Sequence, residues 1–196
     1  MYEKLRFPGL AVVTASVFLL LLVPGGAAQE KMKPETYQAQ AMGQSTQLGQ
    51  TFSVTIIIEE YSPPEDRQAL LEAFNNKGSE GLYNALNKMH AKGRIAITGT
   101  LGYDISFART IPSANGTTLR ILTNRPIRFG EAWADSRSTD YDLSAMEIVL
   151  SPQKGKSTGT LLPACQFVID KKTGELQIEN LRNPWKLVNI QDRSKK

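Results

Sequence analysis

The densest concentration of groups able to do chemistry lies between Arg125 and Asp142 (RPIRFGEAWADSRSTDYD). An arginine guanidinium presents a planar fork of donors that fits a carboxylate or phosphate, while tryptophan and tyrosine join a large apolar ring to one polar atom. Read this way, Arg128, Trp133, Arg137, Asp140 and Tyr141 form a ligand-binding loop, with Trp133 and Tyr141 as anchors and Arg137 as the anion fork. The same segment also reads as a cover over the mouth of a barrel, its arginines and aspartates pairing with one another. A third arrangement is a hydrolase that uses Asp135 and Asp140 with Arg137. It requires these groups to converge in a cleft and at least one carboxyl to be raised in pKa.

The remaining candidates are weaker. Paired carboxylates do acid–base work when their environments separate their pKa values, and the chain offers Glu59/Glu60 and Asp140/Asp142. Glu59 and Glu60 are consecutive in a predicted strand, so they point to opposite faces and cannot converge on one atom. Asp140 and Asp142 can share a face, but calcium takes more oxygen ligands in a recognisable run. One cysteine and one histidine exclude an intrachain disulfide and cannot supply the ligands of an ordinary zinc site. No metal and no cofactor is expected. His90 lies between Lys88 and Lys92 at a predicted helix end, with no nucleophile or acid placed beside it. Cys165 in LLPACQFVI reads as a small buried hydrophobe. The chain has no G-x-S-x-G elbow, phosphate-binding glycine loop or H-E-x-x-H.

These groups need a scaffold, and the pattern predicts a β-rich one. Tyr37, Ala39 and Ala41 alternate with polar residues, and FSVTIIIEEY (Phe52 to Tyr61) is rich in β-branched residues, with Glu59 and Glu60 as gatekeepers against aggregation. Beyond Gly93, strands are expected at 94–98, 103–111, 117–123, 143–150, 158–169, 175–181 and 185–190. Asn115-Gly116 signals a two-residue hairpin, Lys154-Gly155 a tight turn, and Gly99, Gly102, Gly159 and Pro163 mark bulges or bends. Asn115-Gly116-Thr117 also matches a glycosylation acceptor, but turn chemistry already accounts for its asparagine. An inserted helical hairpin is expected at about 63–92. Ser62-Pro63-Pro64-Glu65 caps its first helix, Gly78 stops it, Ser79 caps the second and Gly93 ends that. No internal repeat is present. The expected fold is α+β, mainly antiparallel β: one strongly bent sheet of eight or nine strands, closed as a barrel or split as a sandwich.

The amino terminus reads as an export signal over residues 1–28. Lys4 and Arg6 precede an uncharged, mostly apolar run from Gly9 to Val23, then Pro24 and small residues. That run is shorter than a membrane span, so cleavage and no lasting membrane anchor are expected. A flexible lead-in over 29–35 and one domain over 36–196 follow, in the periplasm or the extracellular space. With 23 basic and 19 acidic residues, a formal net charge of +4 is too weak and too evenly spread to argue for nucleic acid.

The segments LGYDISFAR, RILTNRPI, RSTDYDLSAMEI and GELQIENL with PWKLVNI resemble a family of secreted bacterial proteins of the kind found in Acidobacteria. The resemblance runs from about Phe52 to Asp192 and implies bacterial export and one compact domain. It also lowers the glycosylation reading, and the family has no assigned activity or site residues to carry over. Taken together, the sequence predicts a non-enzymatic domain that binds a small molecule or an envelope protein at one end of its sheet. A secreted hydrolase and a structural protein of the envelope are the alternatives.

Overall fold

A computed structural model describes residues 32–114, 116–127, 143–170, 176–179 and 184–194. Among these residues nine strands and one α-helix follow in order, with a short 3-10 turn at Ser45–Gln47 between the first two strands. They are β1 (Glu35–Met42), β2 (Thr51–Ile58), α1 (Pro64–Lys88), β3 (Gly93–Ile97), β4 (Tyr103–Ser113), β5 (Gly116–Thr123), β6 (Leu143–Leu150), β7 (Thr158–Ile169), β8 (Leu176–Glu179) and β9 (Trp185–Asp192). The export segment 1–28 and Asn115 lie outside the described residues.

Strands β1 to β7 pair antiparallel in chain order, and β9 then pairs with both β7 and β1. Eight strands therefore close on themselves, which removes the exposed edges of an open sheet and decides for a barrel over a sandwich. The ninth strand, β8, pairs with the last residues of β7, Gln166 to Ile169. Bulges bend the ring: the register shifts between Ile105 and Phe107 in β4 and, across from Pro163, between Leu143 and Ala145 in β6.

Alternation along each strand sorts side chains into two cores. The interior takes residues from all eight barrel strands, among them Ile56, Ile95, Ile105, Ile121, Met146, Ile148, Leu161, Trp185 and Leu187, all buried. The next residue along a strand faces the other way. Thus Leu122 and Leu162, neighbours of Ile121 and Leu161, join Phe107, Leu143, Ala145, Cys165 and Phe167 in a second cluster on the outer face, where Leu70, Leu82 and Leu86 of α1 cover them. Cys165 sits in this outer core, its thiol near the carbonyl of Leu143 and its pKa raised by burial. Among the described residues no helix is long and apolar enough to cross a membrane.

The helical segment forms one assigned helix, α1, and two separate helices are not shown; its backbone leaves helical geometry at Lys77 (φ −140°, ψ 17°) and Gly78 (φ 57°, ψ −141°), where the sequence places the stop of the first helix. Ser62 does not cap it. Its N–H donates to the Ala108 carbonyl (2.8 Å) and its hydroxyl accepts from the Ala108 N–H (3.1 Å), so Ser62 is spent on β4 and Pro63 takes the cap position. Gly93 does not stop the helix either, since α1 ends at Lys88 and Gly93 opens β3. At the break, a Cβ on Gly81 would run into the carbonyl oxygen of Ala73, so the chain folds close on itself there. Positive φ with that ψ is a region that only glycine enters readily. Gly78→Ala is expected to lower stability by about 1–3 kcal/mol, read as a lower urea midpoint at unchanged slope; an unchanged midpoint would mean the break is not required.

Two further expectations shift in detail. Ser113 pairs with Gly116, so Gly116 belongs to β5 and not to the turn that Asn115-Gly116 predicts. Glu59 and Glu60 lie beyond β2, because the Lys92 carbonyl accepts from both of their N–H groups (2.9 and 3.2 Å) and ends the ladder.

Candidate functional site

The predicted site residues Arg128, Trp133, Arg137, Asp140 and Tyr141 lie outside the described residues, as do Asp135 and Asp142 of the hydrolase and calcium readings. The stems of that segment are built tightly. The Thr123 hydroxyl donates to the Arg125 carbonyl (2.6 Å) and accepts from the Ser144 N–H (3.2 Å). The Ser144 hydroxyl donates to the Pro163 carbonyl and accepts from the Ile127 N–H (2.6 Å). Arg125 donates to the Gly102 carbonyl (2.8 Å) and stacks over the Tyr103 ring at 5.1 Å, so this arginine braces the β3–β4 turn.

Two polar clusters missed from the sequence are structural. Lys92 is buried between Glu60 (2.8 Å) and Asp66 (3.4 Å), which ties the first turn of α1 to the foot of the barrel. Burial by itself disfavours the ammonium, but the hydrogen bond to Glu60 and the charges of Asp66 and Glu60 outweigh it, holding the Lys92 pKa above the ordinary lysine value. An amine held charged in this way is a strut and not a nucleophile. His90, two residues earlier, is exposed.

At the start of β1, the hydroxyls of Tyr37 and Tyr61 both donate to one oxygen of Glu35 (2.6 and 2.7 Å). Burial and then the Glu35 carboxylate raise both phenols well above the usual tyrosine value. Groups whose folded pKa is raised stabilise fully below the unfolded value, here about 10, and that contribution fades as pH rises past it. We therefore expect Tyr37 and Tyr61 to stay protonated past the ordinary phenol range and to ionise only with unfolding. Phenolate absorbance and circular dichroism, followed together against pH, check this. Two phenols ionising ahead of unfolding in the wild type but not in a Tyr37→Phe/Tyr61→Phe variant would contradict it.

The arrangement with the chemistry of a binding site lies outside the barrel, between α1 and strands β4 and β5. Arg67, Leu70 and Leu71 of α1 form one wall, and Phe107, Arg109, Arg120, Leu122 and Phe167 form the other. Three charged side chains line this crevice among the described residues, and all three are arginines. The crevice is narrow, with about 30 Å³ open to water. Arg109 and Arg120 stand directly opposite one another across the β4–β5 ladder. Glu147 on the next strand accepts from the Arg120 Nε at 2.6 Å and so ties one member of this pair to β6.

No three or more His, Cys, Asp or Glu side chains cluster to hold a metal ion among the described residues. The crevice offers donors and apolar surface, with no carboxylate or imidazole in its described lining to act as a base. Comparison with protein-family models, curated proteins and solved structures finds no match.

Proposed function

We propose that this is an exported bacterial binding domain without enzymatic activity, whose ligand is an anion carrying a linear apolar chain. The observation that carries the reading is the crevice between α1 and the barrel, which Arg67, Arg109 and Arg120 line together with Leu70, Leu71, Phe107, Leu122 and Phe167. Guanidinium groups next to low-dielectric surface favour a carboxylate or phosphate by charge-assisted hydrogen bonds. The apolar floor adds burial that a bare inorganic anion cannot use. Its narrowness favours a single methylene chain over fused rings. The export-signal layout of residues 1–28 and the resemblance to secreted bacterial proteins support a location in the periplasm or outside the cell.

Calorimetric titration of the purified protein with dodecanoate, dodecanol and inorganic phosphate tests the reading. Dodecanoate is expected to bind at least about tenfold more tightly than dodecanol, the factor that loss of one charge-assisted bond of about 1.4 kcal/mol produces. Phosphate, lacking the chain, is expected to bind more weakly still. Equal affinity for acid and alcohol, or no heat from any of the three, would overturn it.

A further inference from the structure

We propose that the outer face of β9, β1 and β2 is a second site, for a neutral oligosaccharide. The antiparallel registers Gln38↔Thr55 and Gln38↔Gln191 place these three side chains on one rung across three strands. Two residues along β1, Gln40 is opposite Ser53 and Val188, and Asn189, the residue after Val188 at the bulge of β9, reaches Gln40 with its side-chain amide. The result is a two-by-three grid of amides and hydroxyls, about 4.8 Å apart across the strands and roughly 6.8 Å apart along them. It encloses about 350 Å³ of space open to water, far more than the crevice under α1.

The grid is organised before any ligand arrives. Asn189 takes φ 53°, a left-handed conformation that asparagine tolerates better than other side chains, and so turns its amide onto β1. Its Nδ2 donates to the Gln40 Oε1 at 2.8 Å, and the Arg193 Nε donates to the Gln38 Oε1 at 2.9 Å. Both glutamine oxygens thus accept, so each glutamine offers its NH₂ group, Asn189 its carbonyl oxygen and Ser53 and Thr55 their hydroxyls.

The chemistry selects the ligand class. Arg193 is the one charged side chain among the described residues lining the trough, so the grid as a whole recognises neutral hydrogen-bonding groups. An extended peptide would dock by adding a strand, but β9, β1 and β2 each already have a partner on both sides and leave no edge to extend. A sugar ring presents closely spaced hydroxyls, each a donor and an acceptor, which match a mixed amide and hydroxyl grid. No aromatic ring lines the trough among the described residues, so the binding expected is weak. The inference is independent of the crevice, which lies on β4 and β5.

The test is nuclear magnetic resonance titration of the isotope-labelled full chain with cellohexaose, chitohexaose and maltohexaose in turn. At least one is expected to shift the side-chain amide signals of Gln38, Gln40 and Asn189. A double variant Gln40→Ala/Asn189→Gly, in which glycine keeps the left-handed backbone, is expected to weaken that binding at least about tenfold while retaining the dispersed spectrum of the folded protein. No shift with any of the three sugars, shifts located away from the trough, or undiminished binding by the double variant would each overturn the proposal.

Discussion

Trp185→Ala is expected to lower the unfolding free energy by about 3–5 kcal/mol. Trp185 is fully buried in the barrel interior, opposite Leu161 of β7 and with its ring 5.3 Å from that of Phe52. Truncation removes the largest side chain of that core and leaves a void, and a closed ring of eight hydrogen-bonded strands can collapse onto it only in part. For a chain of this size the loss corresponds to a fall in melting temperature of about 6–20 °C. Urea unfolding followed by circular dichroism measures it. A loss below about 1 kcal/mol would mean that the interior is loosely filled, and the barrel would then be a container whose ligand sits inside.

Lys92→Met is expected to cost about 2–3 kcal/mol, measured by the same unfolding experiment. Removing the ammonium leaves Glu60 and Asp66 facing one another without the charge between them. The expected loss is below that of a fully buried pair because Glu60 is half exposed. The triple variant Lys92→Met/Glu60→Gln/Asp66→Asn is expected to recover part of the loss, since it removes the uncompensated charges as well. Equal stability of the single and triple variants would contradict the ion-pair account. In the wild type the raised Lys92 pKa means that this contribution is complete below the ordinary lysine value and fades only as pH climbs past it.

Much of the barrel was legible because its strands alternate. The bounds of β6 and β7 coincide with the predicted 143–150 and 158–169, since near-continuous apolar runs stand there, apolar residues of both strands being buried in each of the two cores. Ser62 was misread because its capping-box spacing is a local signal, and a strand 46 residues later competes for the same hydroxyl. Lys92 looked like a helix-end charge. Its burial depends on Asp66 and Glu60, which reach it only once α1 is folded against the barrel.

The crevice shows most sharply how a small error hides a site. Arg67, Arg109 and Arg120 come from three elements and have no spacing in common. The one available signal is hairpin counting: with Ser113 paired to Gly116, Arg109 falls opposite Arg120. A turn placed one residue later, at Asn115-Gly116, puts Arg109 opposite Leu122, and the arginine pair disappears from view. The predicted loop between β5 and β6 drew attention instead, because its arginines and aromatics lie close together in the sequence.

The central claim is that the barrel interior is core and the ligand site lies outside it, under α1. Backbone amide shifts on titrating the labelled protein with dodecanoate test this directly. The account predicts shifts at Arg67 to Leu71, Phe107 to Arg109 and Arg120 to Leu122, with the signals of Ile56, Ile148 and Leu187 unmoved. Shifts centred on those interior residues, or none at saturating dodecanoate, would contradict it.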